Sequence, residues 1–388
     1  MGKELVVVDT SLDGVSLAFQ AALRGFKITY SSPNEYVLSV IRKGNAPGVS
    51  RRTQLQLMLE ERISVAVDVQ KVIGDQEIVI LTRDAQSLEG DSRMELNTLS
   101  KLVGSAIRRG SLIVYSGVCL PGTVEDVVIQ NVEKASGLQV GFDVDLAYIS
   151  PTKGVKFVAE KSKLQGRTME LASNLWGDEK IVKLDGIKEA EAASTLKLME
   201  NEALKAVAYE ALLLFEQLDV DVRKVFEYVG EHLAPSAVRD PKATGIIRYL
   251  TQGEGILFQG TRLLHQVEKT MDAGVNYGIA HLKDLIKKRT RDQRGRIKLL
   301  VVADTEEERK RILTGVKSRR CVTESYLTAD VVDKLHSSEQ RDLSERLNKA
   351  DLAILLTSHS GLREFASAEI SDKKALFDFS MLQALPRQ

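Results

Sequence analysis

Short apolar, β-branched runs alternate with amphipathic stretches through the first part of the chain: Leu5 to Val8, Lys27 to Tyr30, Ile78 to Thr82, Leu112 to Tyr115 and Asp145 to Ile149. Runs of this length, separated by helix-length segments, predict a doubly wound parallel sheet. From Glu189 to Leu218 the hydrophobic period becomes 3.6 residues without a glycine or proline, which predicts one long helix. Further helical segments follow to about Lys288. The charged, glycine-containing run Thr290 to Arg296 marks a boundary. Beyond it come a strand at Lys298 to Ala303, a helix at Glu306 to Lys317 and strands at Leu352 to Thr357 and Ala375 to Asp378, a second and smaller α/β domain. No internal repeat and no low-complexity tract interrupts the pattern.

Composition narrows the function classes. The 43% of hydrophobic residues supplies the core of a globular protein, and 388 residues are enough for two or three domains. With 54 basic and 54 acidic side chains the net charge is zero, so no global field favours nucleic acid or an anionic membrane. Local basic runs such as Lys287, Lys288, Arg289 and Arg291 read as a solvated linker. No apolar run has the length of a membrane span, and the amino terminus leads straight into a strand, so a cytoplasmic protein is expected. Cys119 and Cys321 are far apart and read as reduced thiols, and five scattered histidines form no metal-binding spacing.

Leu5 to Leu23 has the outline of a dinucleotide-binding strand, turn and helix, a Rossmann-like unit. In the full G-x-G-x-x-G fingerprint the glycines make the turn, admit a pyrophosphate and pack helix on strand. Those places here hold Asp9, Ser11 and Gly14. Gly14 keeps the packing role, while a carboxylate at Asp9 repels the anion that a helix N-terminus attracts. The plainer reading is that Asp9, Thr10 or Ser11 caps the helix Leu12 to Arg24. An acidic residue that would hold ribose hydroxyls is also missing after FKITY, where Ser31, Ser32 and Pro33 follow.

Three stretches carry a family resemblance. SLIVYSGVCLPGTVEDVV, Ser111 to Val128, resembles the strand and P-G-T turn of the UDP-glucose and GDP-mannose dehydrogenases. KLMENEALKAVAYEA, Lys197 to Ala211, is similar to that family's K-L-x-E-N helix. NKADLAILLTSHSGLREF with KKALFDFSML, Asn348 to Phe365 and Lys373 to Leu382, resembles its UDP-binding domain. The matches occur in the family's order over nearly the whole chain. The resemblance therefore implies a Rossmann-like NAD-binding-type domain over residues 1–185, a central helical dimerisation domain over 186–290 and a UDP-binding-like α/β domain over 296–388. It also implies NAD as cofactor, a nucleotide-sugar as ligand and a homodimer formed through the central helix.

The family oxidises a sugar C6 alcohol to a carboxylate in two steps, through a thiohemiacetal and a thioester on a cysteine. Aligning GEGILFQGTRLLHQVEK, Gly253 to Lys269, with the family's glycine-rich segment puts Arg262 where the nucleophile belongs. Arginine forms no thioester. The family's proton-relaying Thr and Glu correspond to Val118 and Thr152, and Cys119 reads as a small apolar residue behind the P-G-T turn. Cofactor contacts map to Gly14, Ser11, Pro121, Gly122 and Thr123, and Arg363 to a substrate phosphate. Lys197 and Asn201 match residues that hold the catalytic water and stabilise an oxyanion. Four residues apart, they leave one helix face, although ordinary polar helix positions remain the alternative. Two functions stay in view: a non-catalytic or rewired nucleotide-sugar-binding or scaffold protein, and an active NAD-dependent UDP-sugar 6-dehydrogenase for polysaccharide precursors. A 3-hydroxyacyl or 6-phosphogluconate type of dehydrogenase shares the layout and meets the same objection at the turn.

Overall fold

A computed structural model of the chain describes residues 4–12, 14–46, 49, 51–85, 92–163, 166–217, 220, 225, 241–252, 262–292, 296–303, 306–316, 321–327, 337–356, 362, 365–366, 369, 375–379 and 383–384. The chain divides into two compact units, residues 1–200 with 241–253 and residues 201–240 with 254–388.

The first unit is built on strands β1 (Glu4–Asp9), β2 (Lys27–Ser31), β3 (Ile63–Ala66), β4 (Ile78–Thr82), β5 (Leu112–Tyr115), β6 (Asp145–Ile149), β7 (Val155–Lys161) and β8 (Lys180–Lys183). They form one sheet in the order β3-β2-β1-β4-β5-β6-β7-β8, in which only the β6–β7 pair is antiparallel. The first six strands have the order of a dinucleotide-binding sheet, reversing direction between β1 and β4. Every residue of β4, β5 and β6 is buried, as a parallel strand covered on both faces requires. On one face Val6, Val8, Val79, Leu81, Ile113 and Tyr115 meet Leu96, Leu99 and Val103 of the helix Ser92–Ala106 and Val128 and Val132 of Val124–Ser136. Each fully buried aliphatic side chain of this kind contributes about 2 kcal/mol.

The five strands expected in this unit are all present. Three further strands had no counterpart in the apolar pattern: β3 and β8 are short and half-buried at the sheet's two edges, and β7 alternates its burial as an antiparallel strand does. The first helix is Val15–Leu23, starting three residues after the expected Leu12. The long helix runs from Ile187 to Gln217 and crosses the division between the units.

The second unit holds strands β9 (Ile297–Ala303), β10 (Cys321–Leu327), β11 (Leu352–Leu356), β12 (Ala375–Asp378) and β13 (Gln383–Ala384) in the order β10-β9-β11-β12-β13. Alternate residues of β9 and β11 face opposite layers. Leu299, Val301 and Ile354 pack with Ile279, Leu282 and Ile286 of the helix Arg262–Asp292, whereas Leu300, Val302 and Leu355 pack with Leu343 and Leu347 of Ser337–Lys349. The expected linker at Lys287 to Arg291 belongs to that first helix, which continues to Asp292, and Arg289 donates to the Asp351 carbonyl at 3.0 Å. β10 and β13 were not anticipated. Among the described residues no helix is long and apolar enough to cross a membrane.

Candidate functional site

In an open α/β sheet the ligand crevice lies beyond the carboxyl ends of the strands, where the strand order reverses. Here that edge begins with Asp9, the last residue of β1, which is completely buried. One carboxylate oxygen accepts from the Ser11 backbone N–H at 2.9 Å and the Ser11 hydroxyl at 3.0 Å. The other accepts from the Gly14 N–H at 2.8 Å and the Tyr30 hydroxyl at 2.7 Å. Asp9 thus ties down the backbone that precedes Val15–Leu23, which explains why the helix starts late. No side chain caps it at the N-cap position, Gly14. Gly14 does keep the helix against the sheet: a Cβ there would collide with Thr82 Oγ1 and stand 3.1 Å from Val7 Cγ1.

The ribose end of the crevice is equally closed on itself. Ser32, where the ribose-binding acid was sought, is buried, and its hydroxyl accepts from the Asn34 N–H at 3.0 Å. Thr10 donates to Glu95 at 3.0 Å, and Glu95 also lies 3.0 Å from the buried Arg83 guanidinium.

Next along the edge is the loop after β5. Gly122 sits at φ +94°, in the left-handed region that favours glycine, and a π-helical turn, Val124–Ile129, follows. The N–H groups of Gly122 and Val124 donate to the Glu191 carboxylate at 2.6 and 2.8 Å. The Cys119 thiol donates to the same carboxylate at 3.3 Å. Glu191 comes from the first turns of Ile187–Gln217 and is fully buried, and four residues on the Thr195 hydroxyl donates to the Cys119 carbonyl at 2.9 Å. Burial raises the Glu191 pKa against the two backbone N–H bonds that favour its charged form. Burial, reinforced by Glu191, pushes the Cys119 thiol well up. A third carboxylate, Asp84 just past β4, accepts from the Val118 N–H at 2.7 Å.

The sequence-derived positions fall as follows. Gly14 and Ser11 are gathered on Asp9. Pro121, Gly122 and Thr123 share the β5 loop; Gly122 is held by Glu191, and the Thr123 hydroxyl donates to the Leu120 carbonyl at 2.7 Å. Val118 packs with Leu198, Ala243 and Ile246. The Thr152 hydroxyl donates to the Val155 carbonyl at 2.6 Å. Lys197 pairs with Glu200 at 2.8 Å on its own helix, and Asn201 lies one turn further along. Lys205 pairs at 2.6 Å with the buried Glu202. Arg262 opens the helix Arg262–Asp292, but its side chain lies outside the described residues, as do Gly253 to Gly260 and Arg363. Sequence reasoning named neither Glu191 nor Tyr30 nor Asp84. Glu191 could have been found from spacing, because Ile187, Ala190, Ser194 and Leu198 mark the buried stripe on which it falls. Among the described residues no three His, Cys, Asp or Glu side chains are grouped to hold a metal.

These residues do not fit the NAD that the family resemblance implies. A pyrophosphate at this crevice is bound by the backbone N–H groups of the first turn, and the Gly14 and Ser11 N–H groups are both committed to a carboxylate of like charge.

No protein-family model matches the chain. Over 142 residues it is 28% identical to Protein CapL of Staphylococcus aureus and 25% identical to the UDP-N-acetyl-D-glucosamine 6-dehydrogenase of Pseudomonas aeruginosa. Each match covers 34% of this chain and 34% of the relative, so the shared stretch is about a third of either length. The fold extends the likeness. A UDP-glucose dehydrogenase from Pyrobaculum islandicum superposes with a TM-score of 0.66 over 97% of this chain and 94% of its own, at 16% identity. Over about a third of its length the chain is thus similar in sequence to nucleotide-sugar dehydrogenases, and along nearly all of it the chain has the fold of one.

Proposed function

We propose that this chain is a divergent nucleotide-sugar dehydrogenase relative that has lost thiol-dependent oxidation to a uronate and acts as a non-catalytic or rewired nucleotide- or nucleotide-sugar-binding or scaffold protein. The observation that carries this reading is the state of its thiols. The chain has two cysteines. Cys119, on the loop at the cofactor edge, is sealed in the core with its proton directed at Glu191. Cys321 lies on β10, the outermost strand of the other unit's sheet. Covalent capture of an aldehyde needs a thiolate with access to substrate, and burial keeps Cys119 in the thiol form.

The rival reading, an active UDP-sugar 6-dehydrogenase, draws on the relative of that name in Pseudomonas aeruginosa. One assay separates the two. With NAD and UDP-glucose, UDP-N-acetylglucosamine, UDP-N-acetylmannosamine or GDP-mannose, the protein should form no NADH, and steady turnover with any of them overturns the proposal. Thiol labelling gives a second check: Cys119 should react only on unfolding. The reading also includes a homodimer through the long helix, on which Leu196 and Val207 are 65% and 60% exposed. A monomer by light scattering at micromolar concentration removes that part.

A further inference from the structure

We propose that Asp9 is a built-in occupant of the anion pocket at the start of Val15–Leu23, and that this carboxylate is what excludes phosphate-bearing ligands from the crevice. The donors around it are those an anion site uses: two backbone N–H groups ahead of a helix, a serine hydroxyl and a tyrosine hydroxyl, all at 2.7–3.0 Å from one carboxylate. The frame of the pocket is intact as well. Gly14 retains the close approach of helix to strand, so the turn still directs its N–H groups past the end of β1. The pocket therefore differs from a phosphate-binding turn in its contents. A fixed negative charge fills it, held covalently at the position of the fingerprint's first glycine, so no incoming anion has to be ordered or desolvated.

An independent observation shows the same device at a second turn. At the β5 loop the Gly122 and Val124 N–H groups, again at the start of a helical segment, are satisfied by Glu191. Two helix starts on one sheet edge thus receive carboxylates from within the chain.

The proposal does not depend on whether the chain oxidises a sugar, because inorganic pyrophosphate is the probe. The test is the double variant D9G/S11G, which restores glycine at all three fingerprint positions, titrated with pyrophosphate by calorimetry beside the wild-type chain. The expected result is saturable binding by the double variant at least ~10-fold tighter than by wild type at equal ionic strength. A double variant that melts cooperatively yet binds no better than wild type overturns the proposal. Should the variant fail to fold, amide exchange in the wild-type chain decides. The Gly14 and Ser11 N–H groups should exchange slowly without ligand and be unchanged by pyrophosphate, whereas protection that arises only when pyrophosphate is added overturns the assignment.

Discussion

The turn after β1 and the loop after β5 are closed by buried carboxylates of different origin. Asp9 belongs to its own turn and reaches donors two and five residues away. Glu191 arrives from 67 to 72 residues further along the chain, on another helix. Local closure constrains a backbone that would be turning in any case, whereas long-range closure holds the β5 loop against Ile187–Gln217 and exists only once both have folded. The two carboxylates should therefore differ in what their removal costs, in what protonation does, and in how visible each is from sequence.

The largest effect should come from Glu191→Ala. It leaves the Gly122 and Val124 N–H groups and the Cys119 thiol without their acceptor in a region sealed from water, at a cost of about 3 kcal/mol. Asp9→Ala should cost about 2 kcal/mol, because the half-exposed Ser11 can turn to solvent once its acceptor is gone. Urea unfolding of both variants at neutral pH measures the difference. Equal losses would mean that local and long-range closure are energetically the same.

Acidity sharpens the comparison. The pKa of Glu191 is raised in the folded chain, so between its unfolded and folded values the native state binds the proton more tightly. Stability contributed through this group therefore increases as pH falls through the folded value toward the ordinary glutamate value, and decreases as pH rises again. Glu191→Gln should lack this slope, so the stability of wild type relative to the Gln variant should rise on mild acidification. A relative stability that falls over the same interval would mean that the two N–H bonds outweigh burial, and that Glu191 behaves as an ordinary stabilising carboxylate.

The difference in origin also explains what sequence could and could not reveal. Asp9 and Gly14 were legible because the turn's chemistry is written in six consecutive residues, and the buried parallel strands because each is a continuous apolar run. β3 and β8 were not, since ISVA and KIVK are four-residue edge strands with little apolar pattern to read. Glu191 falls on the buried stripe of its helix, so spacing can mark it as buried but not say what it holds. Its role arises from the pairing of that helix with the β5 loop, which no local pattern encodes. From sequence alone Cys119 is a small apolar residue. It is buried as such a residue would be, but its thiol also has an acceptor that sequence could not supply.

The smallest expected effect concerns Tyr30, a donor that ties Asp9 to the neighbouring strand β2. Tyr30, the penultimate residue of β2, is fully buried, with its hydroxyl 2.7 Å from the same oxygen that accepts from Gly14. Tyr30→Phe keeps the ring and removes that bond alone, so it should cost about 1 kcal/mol, toward the upper end if the charge on Asp9 strengthens it. The size of this loss reports how local the first closure is. A loss well under that of Asp9→Ala means that the carboxylate is held mainly by its own turn. A loss equal to it would make the Tyr30 bond the chief support of Asp9, and the turn after β1 would then depend on tertiary structure as fully as the loop after β5.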